Sequence, residues 1–297
     1  MTNPESVKAR LKKVAQENGR TFQEMLTYYG LERAIYRISI SDYAEHFVLK
    51  GGIFLYAIFD RNYDRATTDI DFLARSIGNG DEEMKSVFRQ ILSLDADDAL
   101  RFDAETISVR TITEFKEYHG LHVSVVAYLD RTRIPIEIDI GFGDVIYPQA
   151  VKMDFPVILD MASPTIYAYS LESSVAEKIE AIIHNGYLNS RYKDFYDIYI
   201  LSKTYPFGLH ALRNAVFETF KNRKTPMTMN TAAFGEEFLN DPMHQTRWNA
   251  FLKKKNALHR ASMSDVISQI RTFVQPLLTE LPSKPLEWNP HDCRWTE

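Results

Sequence analysis

The clearest candidates for chemically active side chains in this 297-residue sequence are two aspartates separated by a single residue. Acidic and apolar residues alternate between residues 68 and 73, which is typical of a β-strand. In a strand, Asp69 and Asp71 point to one face, about 7 Å apart at roughly 3.3 Å per residue. Two carboxylates so placed could share a divalent cation, and oxygen-only ligands favour Mg²⁺ or Mn²⁺ over Zn²⁺. An acidic surface turn is the alternative interpretation, although apolar Ile70 and Phe72 argue against it.

A third acid lies on the strongest strand pattern in the chain, residues 133–141. Four isoleucines occupy alternate positions of this segment, so they predict a buried face, and Glu137 and Asp139 lie on the opposite face. Asp139 could therefore complete a triad with Asp69 and Asp71, although simple exposure to solvent would also explain it. Three acids on adjacent strands suit phosphoryl chemistry assisted by two metal ions.

The glycine pair Gly51-Gly52 precedes an apolar segment, residues 53–59, that is compatible with a helix. Glycines at the start of a helix can expose backbone N–H groups to a phosphate. The alternative is a tight turn or close backbone packing, for which glycine is also suited.

Charged residues also lie on apolar helical faces in the second half of the chain. Lys178 falls on the apolar stripe of a predicted helix, so it either extends to solvent or meets an anion. Asp194 and Asp197 share a packing face and require partners, for which Lys178 and Arg191 are the candidates. A structural salt bridge between helices would by itself account for all four.

Periodicity predicts an α+β chain with a boundary near Pro164, giving domains 1–164 and 165–297. The first domain is predicted to contain helices over 7–18, 21–29, 31–37 and 84–94, with further strands over 106–112 and 121–129. The second is predicted to be helical, from a capping box at Ser174 and Glu177 onward. Its later helices are predicted over 208–222, 231–240, 243–258 and 263–281, and the tail from Pro282 shows no clear period.

Composition limits the classes of protein that the chain can belong to. It is 45% apolar and 25% charged with a net charge of −5, which is ordinary for a globular protein and excludes a basic nucleic-acid coat. A local polyanion-binding surface remains open, because residues 208–262 contain nine basic and four acidic residues. The single cysteine, Cys293, excludes a disulfide framework. With no signal peptide and no membrane-length apolar run in the sequence, we expect a cytoplasmic protein without membrane contact.

Six short motifs occur in an order that resembles a known family. They are Glu32-Arg33-Ala34-Ile35-Tyr36-Arg37-Ile38-Ser39, Leu49-Lys50-Gly51-Gly52, Arg65-x-Thr67-x-Asp69-Ile70-Asp71, Ile136-Glu137-Ile138-Asp139-Ile140-Gly141, Glu177-Lys178-Ile179-x-Ala181 and Arg191-x-Lys193-Asp194-x-x-Asp197. This order resembles the AbiEii/AbiGii-type toxins, nucleotidyltransferase-like proteins of toxin–antitoxin and phage-defence systems. The resemblance extends from about residue 30 to residue 201.

The resemblance implies a polymerase-β-like nucleotidyltransferase core with a mixed sheet, flanked by N-terminal helices and a helical C-terminal domain. It also implies Mg²⁺-dependent transfer of a nucleotide from an NTP to RNA, at the 3′ end of tRNA in characterised relatives, which blocks translation. A cognate antitoxin is a further implied partner. The implied roles are phosphate binding by Gly51 and Gly52, metal binding by Asp69 and Asp71 with Asp139 as third ligand, triphosphate binding by Lys178, nucleotide positioning by Arg65, and a further essential acid at Asp194 or Asp197.

Two rival functions remain open from the sequence. An enzyme with the same core could nucleotidylate a protein instead of RNA. Alternatively, the chain could be a non-catalytic module that binds a nucleotide or a partner without turnover.

Overall fold

The computed structural model describes residues 2–63, 65–115, 118–255, 257, 259–279 and 285–297. The chain forms two compact units. The first comprises Met1–Tyr63, Thr67–Gly143 and Val151–Tyr169, and the second comprises Asp64–Ala66, Asp144–Ala150 and Ser170–Glu297. The domain boundary expected at residue 164 stays a prediction. In the described part of the chain, no helix has both the length and the apolar character needed to cross a membrane.

The first unit is built on a mixed sheet, which has seven strands within the described residues. The strands are β1 (Phe47–Lys50), β2 (Ile70–Ala74), β3 (Leu100–Phe115), β4 (Tyr118–Leu129), β5 (Thr132–Phe142), β6 (Val151–Asp154) and β7 (Thr165–Ala168). Their spatial order is β3-β4-β5-β2-β1-β7-β6. The pairs β2–β5 and β1–β7 are parallel and the other pairs are antiparallel. The expected α+β class with a mixed sheet is confirmed.

Strand β5 has the buried isoleucine face that the sequence predicts. Ile134, Ile136, Ile138 and Ile140 are completely buried, while Glu137 and Asp139 on the opposite face are partly exposed. The apolar residues Ile70 and Phe72 of β2 are likewise buried. Burial of one face fixes the register of the strands, because a one-residue slip would turn every isoleucine to the other side.

Among the described residues of the first unit, four α-helices accompany the sheet: α1 (Pro4–Glu17), α2 (Phe22–Ser39), α3 (Gly51–Ile58) and α4 (Asp81–Leu92). The capping box that Thr21 and Glu24 form at the start of α2 is present. The prediction of two separate helices over 21–29 and 31–37 is wrong, because α2 continues through Gly30. A Cβ at Gly30 would overlap Ile134 and Ile136 of β5, so the glycine lets α2 lie close against the sheet.

The second unit is mainly helical, with α5 (Leu171–Asn185), α6 (Tyr192–Thr204), α7 (Leu209–Asn222), α8 (Glu236–Asn240), α9 (Pro242–Lys254) and α10 (Met263–Leu278). The capping box predicted at Ser174 and Glu177 is wrong, since α5 begins earlier and its N-cap is Ser170, whose side chain accepts from Ser173 N. The helix predicted over 231–240 is interrupted, with a 3₁₀ turn over Ala232–Phe234 and an extended Gly235 before α8. Residues 256, 258, 280 and 281 of the predicted later helices lie outside the described residues.

The C-terminal tail, for which the sequence shows no period, contributes two short strands. These are β9 (Glu287–Asn289) and β10 (Arg294–Thr296), which form a small antiparallel sheet with β8 (Phe207–Gly208). Trp288 of β9 is buried and donates its indole N–H to the carbonyl oxygen of Ser202 at 2.5 Å. A single buried anchor of this kind leaves no periodic signal in the sequence.

Candidate active site

The three predicted metal ligands converge in the first unit. Strands β2 and β5 are parallel neighbours, and Asp71 lies directly opposite Asp139 in their register. Asp69 comes immediately before β2, whose first residue is Ile70. One carboxylate oxygen from each of Asp69, Asp71 and Asp139 lies within 4.8 Å of the other two, and all three residues are partly exposed.

This donor set fits a hard divalent cation. Carboxylate oxygens are the ligands of Mg²⁺, Mn²⁺ and Ca²⁺, and no thiolate or imidazole belongs to the triad, as a zinc site would favour. Carboxylates this close repel one another, so a cation between them relieves a cost that the folded chain otherwise bears. Asp69, Asp71 and Asp139 can therefore hold a divalent metal ion together.

Local hydrogen bonds hold Asp69 in place. Its Oδ1 accepts from the hydroxyl of Thr67 at 3.0 Å and from the backbone N–H of Thr68 at 3.3 Å. Thr67 is itself buried, and its backbone N–H donates to the hydroxyl of Tyr28 at 3.2 Å. Thr67 lies within a motif quoted above, yet its residue type alone gives no indication of this supporting role.

Gly51 shapes the space beside Asp71. It follows Lys50, which lies opposite Asp71 in the antiparallel pair of β1 and β2. Its φ is +67°, a conformation that L side chains rarely adopt, and a Cβ there would overlap the side chain of Asp71. Position 51 therefore requires glycine for both its backbone conformation and its space.

Gly51 and Gly52 also form the first turn of α3. The N-cap residue Lys50 makes no side-chain capping bond to the helix, and the first N–H groups of a helix have no partner within it. These N–H groups and the helix dipole suit an anion. The structure thus places a helix start with the chemistry of a phosphate site next to Asp71.

His122 and Glu137 adjoin the triad and were not predicted as site residues. His122 lies opposite Asp139 in the antiparallel pair of β4 and β5. Its Nδ1 is hydrogen-bonded to Oδ1 of Asp139 at 2.6 Å, and its Nε2 lies 2.6 Å from Oε2 of Glu137. The contact joins residues 17 positions apart, so only knowledge of the strand register could have identified it.

The remaining predicted site residues form a buried ionic cluster in the second unit. Arg65 and Asp197 make two parallel hydrogen bonds, from Nε at 2.6 Å and from Nη2 at 2.7 Å. Lys178 donates to the same carboxylate at 2.8 Å. Asp197 is completely buried and Arg65 is 3% exposed.

Asp194 extends this cluster. Its carboxylate accepts from Nε of Arg191 at 2.7 Å, and Nζ of Lys178 lies 3.6 Å from its other oxygen. The expected partners of the two acids, Lys178 and Arg191, are therefore present, and the structure adds Arg65, which the sequence did not link to Asp197. The structure brings Arg65, Lys178, Asp194 and Asp197 together, but it does not test the roles that the resemblance implies for them.

Burial and ion pairing shift the pKa of both Asp194 and Asp197, in opposite directions. Burial raises the pKa of Asp197, but Arg65 and Lys178 outweigh it and hold that pKa well below its usual value. Burial likewise raises the pKa of Asp194, and Arg191 with Lys178 lowers it further than burial raises it. Both carboxylates are consequently ionised at neutral pH.

Comparison with solved structures finds proteins of Helicobacter pylori with a related chain path. One is JHP933, with a TM-score of 0.48 and 13% identity over 85% of this chain and 91% of that chain. Another is provisionally described as a nucleotidyltransferase, with a TM-score of 0.47 and 15% identity over 84% of this chain and 92% of that chain. No curated protein matches the sequence.

A family model gives the decisive comparison. The model described as nucleotidyl transferase AbiEii toxin, type IV toxin–antitoxin system, matches residues 33–271. This span includes the glycine pair, the acidic triad and the buried ionic cluster. The chain belongs to the AbiEii family of nucleotidyltransferase toxins.

Proposed function

We propose that this protein transfers a nucleoside monophosphate from an NTP to an RNA acceptor, with the 3′ end of tRNA as the target, and thereby blocks translation. The observation that carries the proposal is the convergence of Asp69, Asp71 and Asp139 beside the start of α3. Membership of the AbiEii family supports nucleotidyl transfer as the reaction class.

In this reaction the acceptor hydroxyl loses its proton and forms a bond to the α-phosphorus. The bond between that phosphorus and the oxygen bridging to the β-phosphate breaks, and pyrophosphate leaves. Bound Mg²⁺ would supply Lewis-acid stabilisation of the phosphoryl oxygens and a lower pKa for the attacking hydroxyl. The chain contributes the three carboxylates that hold the ion and, at Gly51 and Gly52, the backbone N–H groups that bind phosphate oxygens.

We assign Lys178 to binding of the triphosphate, because its ammonium group has three N–H donors and the bond to Asp197 uses one. Asp197 is the better candidate for the further essential acid, since it accepts from both Lys178 and Arg65, whereas Asp194 accepts from Arg191. In this assignment Arg65 positions Asp197 and does not contact the nucleotide itself, because the guanidinium group of Arg65 is bonded to Asp197.

RNA is favoured over protein as the acceptor by exposed cations in the second unit. The exposed basic side chains between residues 208 and 262 include Lys221, Lys224, Arg247, Lys253, Lys254 and Arg260. Arg223 does not belong to this surface, because its guanidinium group bonds Asp144 and Glu180. Since the family is that of type IV toxin–antitoxin systems, we also propose a cognate antitoxin as a partner.

The test is incubation of the purified protein with total RNA, Mg²⁺ and each α-labelled NTP in turn. We expect label in a small-RNA band, and none with Asp71→Asn. Glu105→Gln is the matched control, because this carboxylate of β3 has an 89% exposed side chain and lies outside the triad. Equal labelling by wild type and Asp71→Asn would refute the site.

The same experiment separates the rival functions. Label in a protein band instead of RNA would indicate protein nucleotidylation. Nucleotide binding without incorporation into either, together with normal growth of expressing cells, would indicate a non-catalytic module.

A further inference from the structure

His122 occupies a position that the proposed chemistry does not yet use. It lies on β4 directly opposite Asp139 of β5, and its side chain is only 16% exposed. Both of its ring nitrogens approach carboxylate oxygens at 2.6 Å, Nδ1 toward Asp139 and Nε2 toward Glu137. A partly buried imidazole with a hydrogen bond at Nδ1 and a carboxylate in close contact at Nε2 has little rotational freedom.

The chemistry of a metal-binding carboxylate defines what this contact does. A carboxylate that binds a metal ion is ionised and only accepts hydrogen bonds, so in the metal-bound state the donor in this contact is Nδ1 of His122. A carboxylate has about four lone-pair sites on its two oxygens, so one bond to His122 leaves acceptor capacity for a cation. The bond from the imidazole fixes the plane of the carboxylate while the remaining lone pairs stay available.

Glu137 contacts the Nε2 side of the His122 imidazole. It lies two residues before Asp139 on the same face of β5, and Ser124 of β4 lies opposite it. Glu137 and Asp139 therefore flank His122 on one strand, which defines the orientation of the imidazole across the sheet. Neither His122 nor Glu137 belongs to the triad itself.

We propose that His122, oriented by Glu137, is a positioning residue that fixes the carboxylate of Asp139 for metal binding. This inference rests on the proposed function, because it presupposes that Asp139 is a ligand. Outer-shell partners of metal ligands typically change metal affinity by about 10–100-fold when they are removed. We expect a loss of that size from His122→Ala.

The experiment measures Mn²⁺ binding by electron paramagnetic resonance, without nucleotide or acceptor RNA, so that catalysis does not enter. Asp71→Asn should abolish binding and His122→Ala should weaken it about 10–100-fold. His122→Asn should retain most of the affinity, because its amide N–H can replace Nδ1 as a donor. Ser124→Ala, the neighbouring position on the same face of β4, is the matched control and should bind as wild type does.

The outcomes separate this inference from the proposed function. If His122→Ala and Ser124→Ala bind Mn²⁺ equally well while Asp71→Asn does not bind, His122 has no positioning role and the triad stands. If Asp71→Asn binds Mn²⁺ as tightly as wild type does, the assignment of the triad as a metal site is wrong. Should His122→Ala not fold, Glu137→Ala decides, since this half-exposed position tolerates substitution. Weaker Mn²⁺ binding supports the positioning role of His122 and Glu137, and unchanged binding overturns it.

Discussion

Substitution of Gly51 by alanine tests the geometry of the site at its tightest point. The backbone at Gly51 has φ +67°, and the atoms nearest to an added Cβ are Oδ2, Cγ and Cβ of Asp71. Rotation of the carboxylate moves Oδ2 away but leaves Cβ of Asp71 in the way. Gly51→Ala must therefore shift the backbone of β1 or β2 as well as the side chain.

The magnitude has two parts. A non-glycine residue in the left-handed region costs about 1–2 kcal/mol, partly offset by about 0.4–1 kcal/mol because alanine restricts the unfolded chain. A net backbone loss of about 1 kcal/mol lowers Tm by about 1.5–2 °C in a chain of 297 residues, because the entropy of unfolding grows with chain length. Displacement of a catalytic group by about 1 Å can cost on the order of 100-fold in rate, so activity should fall far more than stability.

Gly19→Ala is the matched control for this experiment. Gly19 has nearly the same φ, +62°, but nothing lies within 4 Å of the position that its Cβ would occupy. Gly19→Ala should show only the backbone loss in urea unfolding, and Gly51→Ala should lose about 1–3 kcal/mol more because of the overlap with Asp71. Only Gly51→Ala should lose Mn²⁺ binding and nucleotide transfer. Wild-type metal affinity in Gly51→Ala, or equal loss of activity in both variants, would refute the reasoning.

Three further predictions follow from buried and clustered charges. Asp197→Asn should lower the free energy of unfolding by about 3–5 kcal/mol in urea titrations, because its two cations stay buried without their counter-charge. Asp130→Asn, in an exposed pair with Lys8, is the control and should leave the unfolding midpoint nearly unchanged. Burial raises the pKa of Glu32 from 4.5 to about 7 against the opposing effect of Arg33. Between these two values the folded state binds a proton that the unfolded state does not, so the free energy of unfolding should fall as pH rises from 4.5 to 7. Glu32→Gln should remove that pH dependence, and an unchanged pH dependence in the variant would count against the assignment. Asp71→Asn should abolish the Tm increase that Mg²⁺ gives the wild type, in which Mg²⁺ at 100 times Kd adds about 2.7 kcal/mol of stability. An equal Mg²⁺ effect in both proteins would contradict a shared site.

The sequence predicted the parts of the site that depend on local periodicity. Alternation along 68–73 and 133–141 placed the acids Asp69, Asp71 and Asp139 on polar strand faces, and the register of β2 and β5 brought them together as expected. The apolar segment after Gly51-Gly52 was found compatible with a helix, and the structure has α3 there. The family resemblance, confirmed by the match over residues 33–271, supplied the reaction class.

What the sequence could not predict depends on contacts between distant residues. The bonds from His122 to Asp139 and from Arg65 to Asp197 join separate elements, and no local period marks them. The sequence offers two starts for α5, a capping box at Ser174 and a simple cap at Ser170. The helix begins after Ser170, and tertiary packing decides between two such starts. Gly30 resembled a helix break, since glycine costs about 1 kcal/mol in a helix interior, but close packing against β5 outweighs that cost.

The absence of a side chain at Gly30 has an effect on the far side of the sheet. Helix α2 touches Ile134 and Ile136 through this position, and Asp139 projects from the reverse surface of that same strand. A methyl group added at Gly30 would overlap the side chains of Ile134 and Ile136, so those side chains or the helix would have to move. The close contact of α2 with the strand that carries Asp139 therefore depends on a residue that has no side chain.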